Sequence, residues 1–348
     1  MLPVTIGIII GGIISCQTAI NSRLRVFIGS PYQASFVSFT IGTLFLALVT
    51  LASHQSLGVS SQLLAQEPWW LWIGGVLGVI FLTTNILLFP HIGAVQTAIM
   101  PILGQVLMGL LIDTFGWLTA TQQSLTPARF FGVILVLTGI LVTVALPDIL
   151  QHQTTTTTSG NPWPWRLLGI VGGALGAVQT TINGHLGVVL HSAVHASFIS
   201  FLIGAMTLLV IVFVVDRNLS HIANAIGHGK PWWIWLGGLL GGIFVLGNTY
   251  LAPILGTGQT VVFALLGQLT GGLLIDQFGL LGAKRNPTMP VQFLGLLCLV
   301  GGVILIRLFF ISLNLAIIHH HTKLPPEPEP AHDLRIRHKW YLLGQPIP

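Results

Sequence analysis

Gln17-Thr18-Ala19-Ile20-Asn21 decides the fold, because it returns as Gln179-Thr180-Thr181-Ile182-Asn183, 162 residues later in a chain of 348. In both places the stretch ends an apolar, glycine-rich run and precedes an Ala-Ser-Phe-x-Ser-Phe segment. Amides at i and i+4 share one face of a helix, and buried amides cost free energy unless they find partners. A chain that places this costly pair at matching points of two halves is using it.

The surroundings of these amides are apolar throughout. Charged residues are 6% of the chain and hydrophobic residues 53%, with a mean hydropathy of +0.87. Soluble domains carry roughly 25% charge, so the composition predicts a polytopic membrane protein whose partner is the lipid bilayer. Met1-Leu2-Pro3-Val4 lacks the charged start of a signal peptide, so the first apolar run reads as a retained helix. The net charge of +5 rests on basic residues in loops and tail, which points to membrane orientation and not to nucleic acid. Cys16 and Cys298, the two cysteines, both lie in apolar runs. That excludes a disulfide framework and a cysteine zinc site.

A spanning helix needs about 20 mostly apolar residues. Such runs fall near 3–21, 33–53, 69–90, 93–113 and 129–147, and again near 166–184, 195–215, 231–252, 256–276 and 291–313. This gives a first five-helix repeat at 1–147, a polar linker at 148–165 containing Thr154 to Thr158, a second repeat at 166–313, and a His- and Pro-rich tail at 314–348. Linker and tail have nothing to bury and are predicted to stay solvated.

The repeat extends well beyond the opening stretch. At an offset of 162, Ala34-Ser35-Phe36 matches Ala196-Ser197-Phe198. One residue enters before the third helix, and the offset becomes 163: Pro68-Trp69-Trp70 matches Pro231-Trp232-Trp233, Asn85 matches Asn248, and Gly104-Gln105 matches Gly267-Gln268. Leu111-Ile112-Asp113 likewise matches Leu274-Ile275-Asp276. A fused duplication explains this. Because five is odd, the halves enter the membrane in opposite senses, the arrangement of secondary transporters whose sites lie at the repeat interface.

Arg23, Arg25, Arg166, Arg217, Lys230, Lys284 and Arg285 all fall on the side reached after the first helix, and Arg129 alone falls opposite it before the tail. The positive-inside rule puts the first side in the cytoplasm and both termini outside. Lys323, Arg335, Arg337 and Lys339 in the tail argue for the reverse.

Gln17, Asn21, Gln179 and Asn183 are the leading candidates for contact with a small-molecule substrate. The competing reading is helix–helix hydrogen bonding, worth roughly 0.6–2 kcal/mol per bond in a membrane. Asn85, Asn248, Gln105 and Gln268 are further substrate-facing candidates, with Pro90 and Pro253 expected to end or kink the third helices and Pro101 the fourth. Asp113 and Asp276 are the acids at the edge of predicted spans, so each is a candidate coupling site for a proton or cation. Each sits at the end of its run before x-Phe-Gly, however, and capping or pairing with Arg129, or with Lys284 and Arg285, is the stronger reading. Ser35, Ser38, Ser197 and Ser200 are weaker candidates, since a membrane serine often bonds its own helix. Gly7, Gly11, Gly169 and Gly173 read as points of close helix approach.

Trp69, Trp70, Trp72, Trp232, Trp233 and Trp235 follow prolines at helix starts, where an aromatic belt accounts for them better than an aromatic cage. Arg307 is expected to snorkel, and His319-His320-His321 in the tail has no acids or cysteines at ligand spacing. No metal site or cofactor is predicted. No nucleophile–base pair, phosphate-binding loop or zincin motif appears, so the chain does not read as an enzyme.

These runs together, the Gln-x-x-Ile-Asn, Ala-Ser-Phe-x-Ser-Phe-x-x-Gly, Pro-Trp-Trp-x-Trp-x-Gly-Gly and Gly-Gln-x-x-x-Gly-Leu-Leu-Ile-Asp-x-Phe-Gly motifs, resemble the YdcZ-like inner-membrane family of the drug/metabolite transporter superfamily, with its EamA-like relatives. The resemblance covers nearly all of 1–313. It implies an all-α membrane protein of ten transmembrane helices, two inverted five-helix repeats around a central cavity, and export of a small molecule across a bacterial inner membrane. It also implies cytoplasmic termini, against the charge count. Small multidrug exporters of the superfamily carry a titratable glutamate in the first helix, whereas here Gln17 and Gln179 stand nearest that role, and glutamine does not titrate. The expected function is secondary transport of a small polar or amphipathic metabolite; the alternative is a non-transporting scaffold or accessory subunit. A monomer and a homodimer both fit the sequence.

Overall fold

The structure, a computed structural model, describes residues 2–150, 161, 163–227, 229–283, 285 and 288–305, with the side chains at 85–86, 89–99, 144, 147–148 and 150 excepted. The Thr-rich run, Lys284, Arg307 and the histidine tail lie outside the described residues. Residues 1–305 form one compact unit.

All regular structure among the described residues is helical. In order come α1 (Leu2–Ile28), α2 (Pro31–Ala52), the short α3 (Ser61–Gln66), α4 (Gly74–Phe115) and α5 (Pro127–Leu150). The second half follows with α6 (Trp163–Val189), α7 (Ala193–Val215), α8 (Gly237–Leu255) and α9 (Thr257–Phe278), and with α10 (Pro290–Leu305). Among the described residues six helices, at 2–28, 31–52, 163–189, 193–215, 232–255 and 257–278, are long and apolar enough to cross a membrane; 74–84, 100–115, 127–143 and 290–305 are shorter apolar helices.

Local chemistry sets the boundaries. Ser30 and Ser192 cap α2 and α7, accepting hydrogen bonds from the N–H of Gln33 and His195, which satisfies donors the first turn leaves open. After Pro68 and Pro231 the tryptophans form a short 3-10 turn at 69–72 and 232–235, and the α-helices proper begin at Gly74 and Gly237. Trp69 and Trp232 stay about three-quarters exposed, as a headgroup-level belt requires. Gly116 and Gly279 end the fourth helices of the two halves with φ of 65° and 63°, the left-handed closure that glycine tolerates best.

The third and fourth runs of the first half were expected as separate helices broken near Pro90 or Pro101. Instead α4 is helical from Gly74 to Phe115, yet it turns back on itself. Its first arm runs antiparallel to α6: Gly74 faces Asn183, Gly78 faces Gln179, and Thr84 and Leu88 face Gly172 and Gly169. Its second arm then passes Gly169 again at Met100 and follows α6 in the same sense, with Pro101 against Gly173 and Gly104 against Ile170 and Ala174. Helical backbone through a proline is tolerable in apolar surroundings when neighbouring helices satisfy the freed carbonyls. In the second half Gly256, at φ +88°, makes the corresponding turn between α8 and α9; Pro253 lies inside α8, two residues short of its end.

The halves trade contacts. α1 of the first half packs on α8 and α9 of the second, and α6 of the second packs on α4 of the first. Several close approaches have their copy: Gly11 lies on Ala264 as Gly173 lies on Pro101, and Gly267 lies on Ile8 as Gly104 lies on Ile170. The four glycines read as approach points, Gly7, Gly11, Gly169 and Gly173, all sit at these crossings. The equivalent helices α2 and α7 run antiparallel to each other, since Ser30 at the start of α2 bonds Asp216 just past α7. At their opposite ends Ser192, at the start of α7, bonds Gln55 just past α2 at 2.6 Å. At mid-length the equivalent rings of Phe39 and Phe201 stack on each other at 4.9 Å, with Gly42 and Gly204 making room for the opposing ring. α5 and α10 meet in the same reciprocal way, Gly139 against Gly295 and Gly302 against Gly132. Like residues meeting like across one line is the pattern of a local two-fold relation.

Candidate functional site

The opening amides occupy glycine gaps in the opposite half. On α1, Gln17 lies over Gly241 and Asn21 over Gly237, both on α8; on α6, Gln179 lies over Gly78 and Asn183 over Gly74. A methyl group at any of these glycines would collide with the amide above it, so the gap and its occupant fit each other. The Nδ2 of Asn21 donates to Ser38 Oγ on α2 at 3.1 Å. The carbonyl oxygens of Gln17, Asn21 and Asn183 are buried with no hydrogen-bond partner among the described residues, and Asn183 is only 2% exposed. An unmet buried acceptor costs about 1–3 kcal/mol. The first-half and second-half pairs sit in separate gaps, and no hydrogen bond joins one pair to the other among the described residues.

The remaining amides are more scattered. Asn248 is buried on α8, while the side chain of its copy Asn85 lies outside the described residues. Gln105 and Gln268 are half-buried on α4 and α9. The backbone carbonyl of Gln268 accepts a 2.6 Å bond from Ser15 Oγ on α1. Ser35 and Ser197 bond back to the carbonyls of Pro31 and Ala193 in their own helices.

The densest polar arrangement lies where α4 ends and α9 begins. Asp113 is fully buried and forms a 2.7 Å ion pair with Arg129 Nη2 at the start of α5. Its two oxygens also accept the backbone N–H groups of Thr257 and Gly258 at 2.8 and 2.9 Å. Asp113 therefore caps the first turn of a helix in the other repeat, where a carboxylate meets the positive helix end. Around it, Arg129 Nη1 donates to Gln123 O at 3.0 Å, Gln123 Nε2 donates to Leu255 O at 2.9 Å, and Gln259 Nε2 donates to Gln123 Oε1 at 3.1 Å. Thr257 continues the chain to α6 through a 2.8 Å hydroxyl contact with Thr181. Thr181 stands inside the Gln179–Asn183 stretch, so the Asp113 cap reaches the helix segment that carries the second amide pair.

Asp276, the copy of Asp113, is exposed and makes no hydrogen bond or ion pair with another described residue. The position of Arg129 is taken by Gln292, which bonds Met289 N and Thr143 O instead, and Arg285 turns to the carbonyl of Gln277.

Sequence reasoning anticipated the Asp113–Arg129 pair. It missed Thr181, Gln123, Thr257 and Gln259. The available signal was the polar run Thr257-Gly258-Gln259-Thr260, all buried, opening an otherwise apolar span directly after Gly256. It also missed Gln33, fully buried at the start of α2, whose Nε2 meets Asp216 Oδ2 at 3.1 Å and Asn218 O at 3.0 Å.

A family described as "Putative inner membrane exporter, YdcZ" matches residues 2–142 and again 164–305, one match per repeat. A solved crystal structure, 16% identical, superposes with a TM-score of 0.59 over 88% of this chain and 98% of its own, and so shares the fold. No curated protein matches the sequence.

Proposed function

The chain belongs to the YdcZ family of inner-membrane exporters, and from that membership we propose a secondary transporter that moves a small polar or amphipathic metabolite by alternating access. Ten spanning helices in two inverted five-helix repeats would form its frame, with the amides between them as the recognition surface. The observation that carries this reading is the reciprocal exchange of amide–glycine contacts between halves, Gln17 and Asn21 on α8 against Gln179 and Asn183 on α4. In inverted-repeat transporters the substrate site lies at such an interface. Unpaired carbonyl oxygens there suit a substrate rich in hydroxyl or amine donors, since donors would satisfy what the protein leaves open.

Coupling follows from which groups titrate. The amides do not, and Asp113 is committed to Arg129 and two backbone N–H groups. Asp276, exposed and unpaired among the described residues, is the better candidate for exchanging a proton. If it does so, Asp276→Asn flattens the pH dependence of transport; an unchanged pH profile in that variant removes the proton hypothesis.

A metabolite screen by ligand-induced thermal stabilisation of the purified protein tests the recognition surface. Hits should lose about tenfold or more in affinity in the Gln17→Ala, Gln179→Ala double variant, a change of roughly 1.4 kcal/mol, while the melting temperature without ligand stays nearly unchanged. Loss of folding with affinity intact in the surviving protein would make the amides structural.

A further inference from the structure

The two repeats share their frame but not their fastening. At the end where α9 begins, Asp113, Arg129, Thr257 and Thr181 lock first repeat to second. At the mirror positions the chain carries Asp276, Gln292, Ala94 and Ala19. Three of the four groups that build the lock are thus missing from its copy: the guanidinium is replaced by an amide and both hydroxyls by methyl groups. The loop after each fourth helix is otherwise built alike, with Leu118 and Leu281 both at a positive φ of 54°.

We infer that Asp113, Arg129 and Thr257 form a one-sided latch that holds the protein, without substrate, closed at the α9-start end, with Thr181 joining the latch to the Gln179–Asn183 stretch. This rests on the alternating-access reading. In a two-fold frame the two closed forms would be equal in energy if both ends carried the same contacts; a buried ion pair and two charge-assisted caps at this end, against the hydrogen bonds of Ser30 and Gln33 to the partly buried Asp216 at the other, make them unequal. A ligand at Gln179 or Asn183 acts on the same segment of α6 that carries Thr181, so its binding energy can be spent on releasing the Thr181–Thr257 contact. Thr181 is in this sense a positioning residue, and it touches the latch without being part of the ion pair.

The test compares two equivalent buried positions, one a helical turn from Thr181 and one at its mirror place in the first repeat. Ser15→Cys on α1 and Ala177→Cys on α6 are introduced singly into a Cys16→Ser, Cys298→Ser background. Ser15 lies against α9, and Ala177 supplies the carbonyl that Thr181 bonds at 3.0 Å. Labelling by a membrane-impermeant maleimide is measured in detergent. The latch is removed by Arg129→Gln, the residue its copy carries, together with Asp113→Asn, which keeps a capping oxygen on α9 and leaves no buried charge unpaired. The labelling rate of the Ala177→Cys protein should rise by roughly threefold or more while that of the Ser15→Cys protein falls, the opposite-sign response of a population shift. Thr181→Ala, a milder change that copies Ala19, should give the same signs at smaller amplitude. Equal increases at both sites would show mere loosening, and unchanged rates at both would show that the pair is a static staple; either result overturns the latch. Neither result touches the transport reading, which is judged by flux alone.

Discussion

Asp113 and Asp276 hold the same place in the repeat and have different fates, because a residue's role is set by what stands opposite it. Arg129 and the open N–H groups of α9 reach Asp113, whereas Gln292 turns away from Asp276 to bond Thr143 O. Removing one member of a buried pair leaves the other uncompensated, at a cost of about 3–5 kcal/mol. Asp113→Ala should therefore lower the melting temperature of the detergent-purified protein by many degrees, while Asp276→Asn, an exposed change, should stay within ~0.5 kcal/mol of the parent. Equal losses in the two variants would remove the distinction. The sequence alone showed the acids, their duplication and Arg129 as a partner for one of them. It could not show that the carboxylate caps a helix 144 positions away in the chain, because no local pattern encodes which helix end a side chain will meet.

At the scale of elements, the glycines decide how closely helices approach, and their registers were partly legible. The four-residue spacing of Gly7 and Gly11, and of Gly169 and Gly173, pointed to a contact face; the partners, α9 and the second arm of α4, became visible only in three dimensions. Pro101 misled, since a proline signals a lost hydrogen bond and not the fate of the helix around it, whereas α4 does reverse between Leu88 and Met100, the stretch that holds Pro90. The neighbouring glycines Gly11 and Gly12 offer a sharp test. A methyl at Gly11 would meet the backbone of Ala264, but one at Gly12 has only the carbonyl of Gly267, 4.0 Å away. Gly11→Ala should cost about 1–3 kcal/mol through overpacking, and Gly173→Ala, its copy against Pro101, should cost a similar amount. Gly12→Ala should be close to neutral. A melting series over the three variants checks this, and a loss at Gly12 as large as at Gly11 would contradict the packing described.

At the scale of the whole molecule, duplication and apolar composition made an all-helical, membrane-like chain legible from the sequence. Burial of Arg129 in an ion pair also bears on orientation. It was the one basic residue before the tail on its side of the membrane, and paired inside the protein it no longer acts as a loop charge. The remaining loop charges then favour a cytoplasmic location for the segment at 216–231. In intact cells an impermeant maleimide should label a Ser56→Cys protein and spare a Ser220→Cys protein until the membrane is opened; the reverse pattern would invert the assignment.

Transport itself is tested most directly by flux. Proteoliposomes loaded with a broad mixture of hydroxyl- and amine-bearing metabolites are followed by mass spectrometry, with the Gln17→Ala, Gln179→Ala protein in parallel. At least one metabolite should cross with the native protein and be retained, or cross at least about tenfold more slowly, with the variant. If nothing crosses with the native protein, or if the variant moves the same compound at the same rate, the account of a transporter built around its duplicated amides is wrong.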